Sequence, residues 1–371
     1  MTVRAGGPGA RAANGALGRR DLLLFAAVAG AAGWKPARAR GRTPRIGFVR
    51  AGSRQAEARL LAAFRGSLGA LGWVDGRNVV ILDRWGEGDA GRLPEMVDGL
   101  NWSTIDALVT DAAPAAVAAA KVTRTIPIVL AGVPDAVALG LADSLARPGG
   151  NVTGLSPSTF DLAGRQLQLL RAAAPAMRHL AAIANFELGG ADQRWLSIQT
   201  RCERLGLQLL ELQTTTPGAV DRAFELARNE GCDGLWVAFD REAAGERAEV
   251  VRLAADNRLP AVYPARGFVE LGGLMSYGPD PVDLFRHAAL YVDKILGGAH
   301  PADLPIAAPV TYHLAVNRAA ARSLGLTIPP AVLARADEII DNEVAQPPAP
   351  PPMPPPHREG PEAKSASIGG G

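Results

Sequence analysis

Along the chain, apolar residues fall into two alternating rhythms. The run "RIGFV" (45–49) is short and β-rich, and from Glu57 to Leu71 apolar positions recur at helical spacing up to "LGW". The stretch "IDALVTDAAPAAVAAA" from Ile105 reads as a strand and an alanine-rich helix, and "TIPIVLAG" from Thr125 as a further strand. The same order returns downstream. "HLAAIAN" (179–185) precedes a helical pattern that ends in "LGLQLLEL" (205–212). "CDGLWVAFDREAAGERA" from Cys232 parallels the Ile105 stretch, and "RLPAVYPA" from Arg258 parallels the Thr125 stretch. Strand, helix, strand, helix, strand thus occurs twice. Continuous apolar strands such as "ALVT", "PIVL" and "GLWVAF" are what a parallel sheet covered by helices on both faces needs, so the pattern predicts a duplicated α/β architecture.

Both ends depart from this pattern. Arg19 and Arg20 precede an apolar run from Leu22 to Trp34, too short to cross a bilayer, which takes roughly 20 residues. The run is apolar all round, where a core helix would show a stripe. "KPARAR" follows, with Ala37 and Ala39 in an A-x-A-like pattern, behind a basic segment carrying Arg4, Arg11, Arg19 and Arg20. Residues 1–39 are therefore expected to be an export signal of twin-arginine type, although Gly18 stands where such motifs usually carry Ser or Thr. The mature chain is then expected in the periplasm, soluble and without membrane insertion. Residues 346–371 hold too much proline for helix or sheet and are expected to form a disordered or polyproline tail.

Composition narrows the function. The chain is 48% hydrophobic and 20% charged with a net charge of +2, a globular balance that argues against a nucleic acid as main partner. Residues 43–342 suffice for one large or two ordinary domains. Cys202 and Cys232 cannot build a four-ligand metal site, and they read either as a pair or as two unpaired buried thiols. The histidines His179, His287, His300, His313 and His357 are scattered, so neither a metal nor another cofactor is expected. The chain lacks the glycine-rich phosphate loops, nucleophile elbow and zinc-binding helix motifs of common enzymes. "GGNVTG" (149–154) fits no phosphate loop and reads as a turn or hinge. An exported two-lobed α/β protein without a reactive constellation points to capture of a ligand, with no catalytic residues.

In open parallel sheets ligands sit beyond the carboxyl ends of the strands. The candidate binding residues at those ends are Ser53, Thr110, Asp111, Ala112 and Asp135 in the first repeat. In the second they are Asn185 with Phe186, Phe239 with Asp240, and the segment from Tyr263 to Arg266. Ser156 and Tyr277 complete the set. Polar groups would fix the charged ends of a ligand, and Phe186, Phe239, Tyr263 or Tyr277 would cover an apolar body.

Several longer stretches carry a family resemblance. "AAFRGSLGALGWVDGRNVVILDRWGEGDAGRLPEM", "LADSLARPGGNVTGLS", "FVELGGLMSYGPD", "KILGGAHPADLPI" and "SLGLTIPPAVLARADEII" resemble the substrate-binding proteins of ABC transporters, in the family with tryptophan- and tyrosine-binding members. The resemblance spans residues 43–341. It implies a type 1 periplasmic-binding fold: two Rossmann-like lobes with parallel sheets, joined by a multi-strand hinge and closing on a small molecule. Lobe 1 is expected to comprise 43–153 plus 278–342, and lobe 2 to comprise 154–277. Crossings are expected near 153–155, 274–278 and 309–312, with "VTYHLAVN" returning to the first lobe. The implied partners are an ABC permease and its ATPase, met by a monomer. A ligand-sensing subunit for a membrane receptor and an enzyme on the same scaffold are the alternatives. Departures fall at the strand ends. Asp111, Ala112, Ala113 and Pro114 stand where relatives carry a Gly-Thr-Pro-like turn, Asp135-Ala136-Val137 replaces Asp-Pro-Val, and Asn185-Phe186 replaces Asn-Pro. The carboxylate at Asp111 would favour a ligand amine or cation.

Overall fold

In the computed structural model the described residues are 42–183, 191–212, 219–238 and 244–341. The expected export signal and proline-rich tail lie outside them, as do Asn185, Phe186, Phe239 and Asp240.

The first repeat builds a five-stranded sheet from β1 (Arg45–Arg50), β2 (Val80–Trp85), β3 (Ala107–Thr110), β4 (Ile128–Ala131) and β5 (Val152–Leu155), in the order β2-β1-β3-β4-β5. Every neighbouring pair is parallel. Helix α1 (Ala58–Ala70) covers one face with Leu60, Leu61, Phe64 and Leu68. On the other face lie α2 (Leu93–Asp98) and α3 (Ala113–Val122), through Leu93, Val97, Ala115, Ala116 and Ala119. β3 and β4 are buried throughout, as strands covered on both sides must be. Of the "GGNVTG" stretch, residues 149–151 form the turn into β5 and the other three belong to the strand itself. Gly154 there has φ +121°, and a side chain at this position would run into the backbone of Leu130.

The second repeat contributes α4 (Thr159–Ala173), β6 (His179–Ile183), α5 (Ala191–Arg204), β7 (Gln208–Leu212), α6 (Ala219–Asn229), β8 (Gly234–Val237), α7 (Ala244–Asp256), β9 (Ala261–Tyr263), α8 (Arg266–Glu270) and β10 (Met275–Pro279). Its strands run β7-β6-β8-β9-β10, the same order as the first sheet. The "LGLQLLEL" stretch corrects the sequence expectation. The helix stops at Arg204, Gly206 takes a left-handed φ of 69°, and the remaining residues form β7 alongside β6.

After β10 the chain enters α9 (Pro281–Leu296). Asp280 caps it, accepting from Val282 N at 2.8 Å, and Pro281 occupies the first turn. This helix belongs to the first half. Phe285, Ala288, Ala289, Val292 and Ile295 share a core with Phe48, Phe64 and other residues of β1 and α1. The chain then crosses again into β11 (Tyr312–Asn317), α10 (Arg318–Ser323), α11 (Pro330–Leu333) and β12 (Glu338–Ile340). Here the expectation for 278–342 fails in part: β11 pairs antiparallel with β10 and β12 pairs with β11, so both extend the second sheet. The cause is burial. Leu314 and Val316 pack in one core with Met275 and Tyr277, which a position at the edge of the first sheet would not allow.

Three segments therefore connect the halves: after β5, between β10 and α9, and between Ala307 and β11. They bond to one another, Ser156 N to Ala307 O at 2.9 Å and Asp280 N to Thr311 O at 3.1 Å. Cys202 and Cys232 are free thiols, and burial pushes them up to about 12 and about 11. Among the described residues, no helix is long and apolar enough to cross a membrane.

Candidate functional site

In the order β2-β1-β3-β4-β5, chain progression reverses between β1 and β3, and the crevice beyond their carboxyl ends is the natural ligand position. β1 ends at Arg50 and β3 at Thr110. The Arg50 guanidinium, only 11% exposed, bridges this point: Nη1 lies 2.6 Å from Asp111 Oδ2, and Nε lies 2.7 Å from Glu57 Oε2. Nη2 also donates to Glu57 Oε1 at 3.1 Å. Beneath the guanidinium is the Phe285 ring, 5.1 Å from Cζ, itself 5.1 Å from the ring of Phe48. An arginine on an apolar floor holds two carboxylates at the strand ends.

Ser53 and Glu57 show how the local sequence builds this. Ser53 Oγ accepts from Ala56 N at 3.3 Å, and its carbonyl accepts from Glu57 N at 3.1 Å, a turn that brings Glu57 back to Arg50. Burial raises the Glu57 carboxyl above its ordinary value, opposed by the charge of Arg50 and reinforced by Asp111. The positive charge of Arg247, on α7 of the second half, weakly opposes that rise as well. Thr110 is fully buried, and its Oγ1 accepts from Ala112 N at 3.2 Å, fixing the turn into α3.

Asp135 and Ser156 come together at the first crossing. Asp135 has a left-handed φ of 51°, and its Oδ1 accepts from Thr159 N at 3.1 Å. Ser156 is buried, and its Oγ accepts from Ala136 N at 3.0 Å.

In the second half the candidates separate. Tyr263 is 1% exposed, stacked on Phe268 at 4.7 Å within the core, and burial pushes its hydroxyl well above the usual range. Its ring is a packing element, contrary to the expected place in the cleft lining. Tyr277 stacks on Tyr312 at 5.5 Å, and its hydroxyl accepts from Arg165 Nη1 at 3.0 Å beside the second crossing. Asn185, Phe186, Phe239 and Asp240, the residues following β6 and β8, lie outside the described residues. Arg266 is bound to Glu338 of β12 through Nε at 2.5 Å and Nη2 at 2.8 Å, and it lowers that carboxyl.

Sequence reasoning passed over Arg50, Glu57 and Arg247. A signal existed for Arg50, the ionisable residue immediately after "RIGFV". Glu57 reaches it only through the fold.

An ABC domain from Streptococcus pneumoniae in complex with L-Trp matches with a TM-score of 0.73 at 27% identity, over 81% of this chain and 100% of that one. A conserved domain protein from Vibrio cholerae matches with a TM-score of 0.73 at 26% identity, over 80% of this chain and all of that one. A tyrosine-binding protein of Clostridioides difficile is 24% identical over 255 residues, 69% of this chain and 73% of that protein. Residues 53–340 match the family model described as ABC transporter substrate binding protein, and the chain belongs to that family of solute-capturing proteins.

Proposed function

We propose that this protein is the periplasmic, monomeric capture component of an ABC importer, and that its ligand is an amino acid with an aromatic side chain held between the two halves. The observation that carries the reading is the Arg50, Glu57 and Asp111 cluster at the reversal point of the first sheet, over the Phe285 ring. Charged groups at the strand ends suit the zwitterionic head of an amino acid. Asp111, the more open of the two carboxylates, offers an acceptor for the ammonium end of such a ligand. The L-Trp complex and the tyrosine-binding relative support the same class.

The function follows from closure. A ligand that touches both halves binds the closed arrangement more tightly than the open one and shifts the equilibrium by that difference. The permease and ATPase of the importer then read the closed form. A thermal-shift series on the full chain with L-tyrosine, L-tryptophan, aliphatic amino acids and aromatic acids lacking the amine tests this. At 100 times its dissociation constant a ligand adds about 2.7 kcal/mol of stability. The reading expects the shift with aromatic amino acids, reduced for the deaminated acids. A shift with the deaminated acids alone contradicts it.

A further inference from the structure

We infer that Asp135 is a positioning residue of the hinge, tying the strand-end loop of the first half to the entrance of α4 and so setting the angle at which the halves meet. The inference rests on capture by closure, as proposed above. Three bonds sew the loop after β4 to the first crossing. Asp135 N donates to Pro157 O at 3.0 Å, Ala136 N to Ser156 Oγ at 3.0 Å, and Thr159 N to Asp135 Oδ1 at 3.1 Å. One side of this seam is fixed in the first half, where Val133 and Ala136 are fully buried. The other side is the first residue of a helix whose Leu162, Ala163 and Leu167 lie in the core of the second.

The chemistry of the seam is specific to aspartate. A φ of 51° is costly for most side chains, and short polar ones tolerate it best. Here the carboxylate is spent on a helix of the opposite half. Ser158 already caps α4, accepting from Asp161 N at 3.2 Å, so Asp135 supplies a separate acceptor for the Thr159 amide. A negative charge at that end also complements the helix dipole.

The seam reaches the second crossing through the middle of α4. Gln166 Nε2 donates to Tyr277 O at 2.7 Å, and Gln166 Oε1 accepts from Trp236 Nε1 at 2.7 Å. Tyr277 lies on β10 just before the chain crosses to α9. A ligand bearing on the loop after β4 thus moves the entrance of α4, and α4 holds the strand that leads into the next crossing.

The test compares full-length wild type with Asp135→Ala, Asp135→Asn and Asp135→Gly by amide exchange, thermal unfolding and small-angle X-ray scattering. Each is measured alone and with L-tyrosine and L-tryptophan as probes. Removing the acceptor is expected to speed exchange of the Thr159 amide about fivefold. It should also shift the ligand-free radius of gyration, with cooperative unfolding retained. Asp135→Asn, which keeps an acceptor oxygen, should restore both. Asp135→Gly, which relieves the backbone but lacks the acceptor, should follow Asp135→Ala. A ligand-free scattering curve for Asp135→Ala that superimposes on wild type, or a failure of Asp135→Asn to restore it, overturns the inference. If neither probe changes wild type, the ligand assignment fails, and the ligand-free curves still decide the role of Asp135.

Discussion

The two halves repeat one strand order, and the groups at the ends of β1 and β3 in the first can be set beside those at the end of β9 in the second, the residues after β6 and β8 lying outside the described residues. In the first, Arg50, Glu57 and Asp111 gather at the reversal point over Phe285. In the second, the residue ending β9, Tyr263, turns into the core, and the nearby Arg266 is engaged by Glu338 of β12, a strand with no counterpart in the first sheet. Duplication sets the topology. The halves differ in what is added to it: a helix returned from afar to the first, two strands appended to the second.

Core truncations should separate the halves most strongly. Phe285→Ala removes the floor under Arg50, and Trp236→Ala empties the centre of the second core. Each residue is fully buried, and each change should cost about 3–5 kcal/mol in urea unfolding. If the halves unfold separately, Phe285→Ala lowers one transition and Trp236→Ala the other. Identical shifts of a single transition would show one cooperative unit.

Arg50→Met should come next, at about 3 kcal/mol, because it leaves two partly buried carboxylates facing one another. Arg266→Met, beyond the end of β9 in the second half, should cost less, since Glu338 and Glu270 are more open to solvent. Equal losses in chemical denaturation would erase the contrast drawn between the two strand ends.

Gln166→Leu isolates the hydrogen-bonded link in the second half. It leaves the Trp236 indole N–H and the Tyr277 carbonyl without their partner, for a loss of about 2 kcal/mol. A neutral result would mean that packing alone orders this region.

The smallest effects lie in pH dependence, and they have opposite signs in the two halves. Burial raises Glu57 above 4.5, so its contribution is present in full below pH 4.5 and is lost as pH rises through the raised value. Arg266 lowers Glu338 beneath 4.5, so its contribution is present above pH 4.5 and is lost as pH falls through the lowered value. Glu57→Gln should flatten the stability profile on the high side of pH 4.5, and Glu338→Gln on the low side. Profiles that change on the same side would contradict the assigned environments.

Much of the fold is legible in the residues. "ALVT", "PIVL" and "GLWVAF" announce buried parallel strands because two-sided burial leaves no polar alternation, and the 57–71 rhythm marks α1. "VTYHLAVN" is legible as a strand and illegible as to its sheet, because antiparallel pairing with β10 leaves no mark on composition. The site divides in the same way. Counting along the strands is enough to place Thr110, Asp111 and Asp135 at or just beyond strand ends. Tyr263 misleads because which face of a strand meets the cleft depends on the helix that covers it. Glu57 is brought to Arg50 by the turn at Ser53, and Arg247 acts on Glu57 only because the halves meet.

The most direct measurement is a crystal structure of the chain grown with L-tryptophan. The account predicts the amino acid between the halves, its ammonium group toward Asp111. The same amino acid lodged outside that cleft, with the halves placed as in ligand-free crystals, would contradict it.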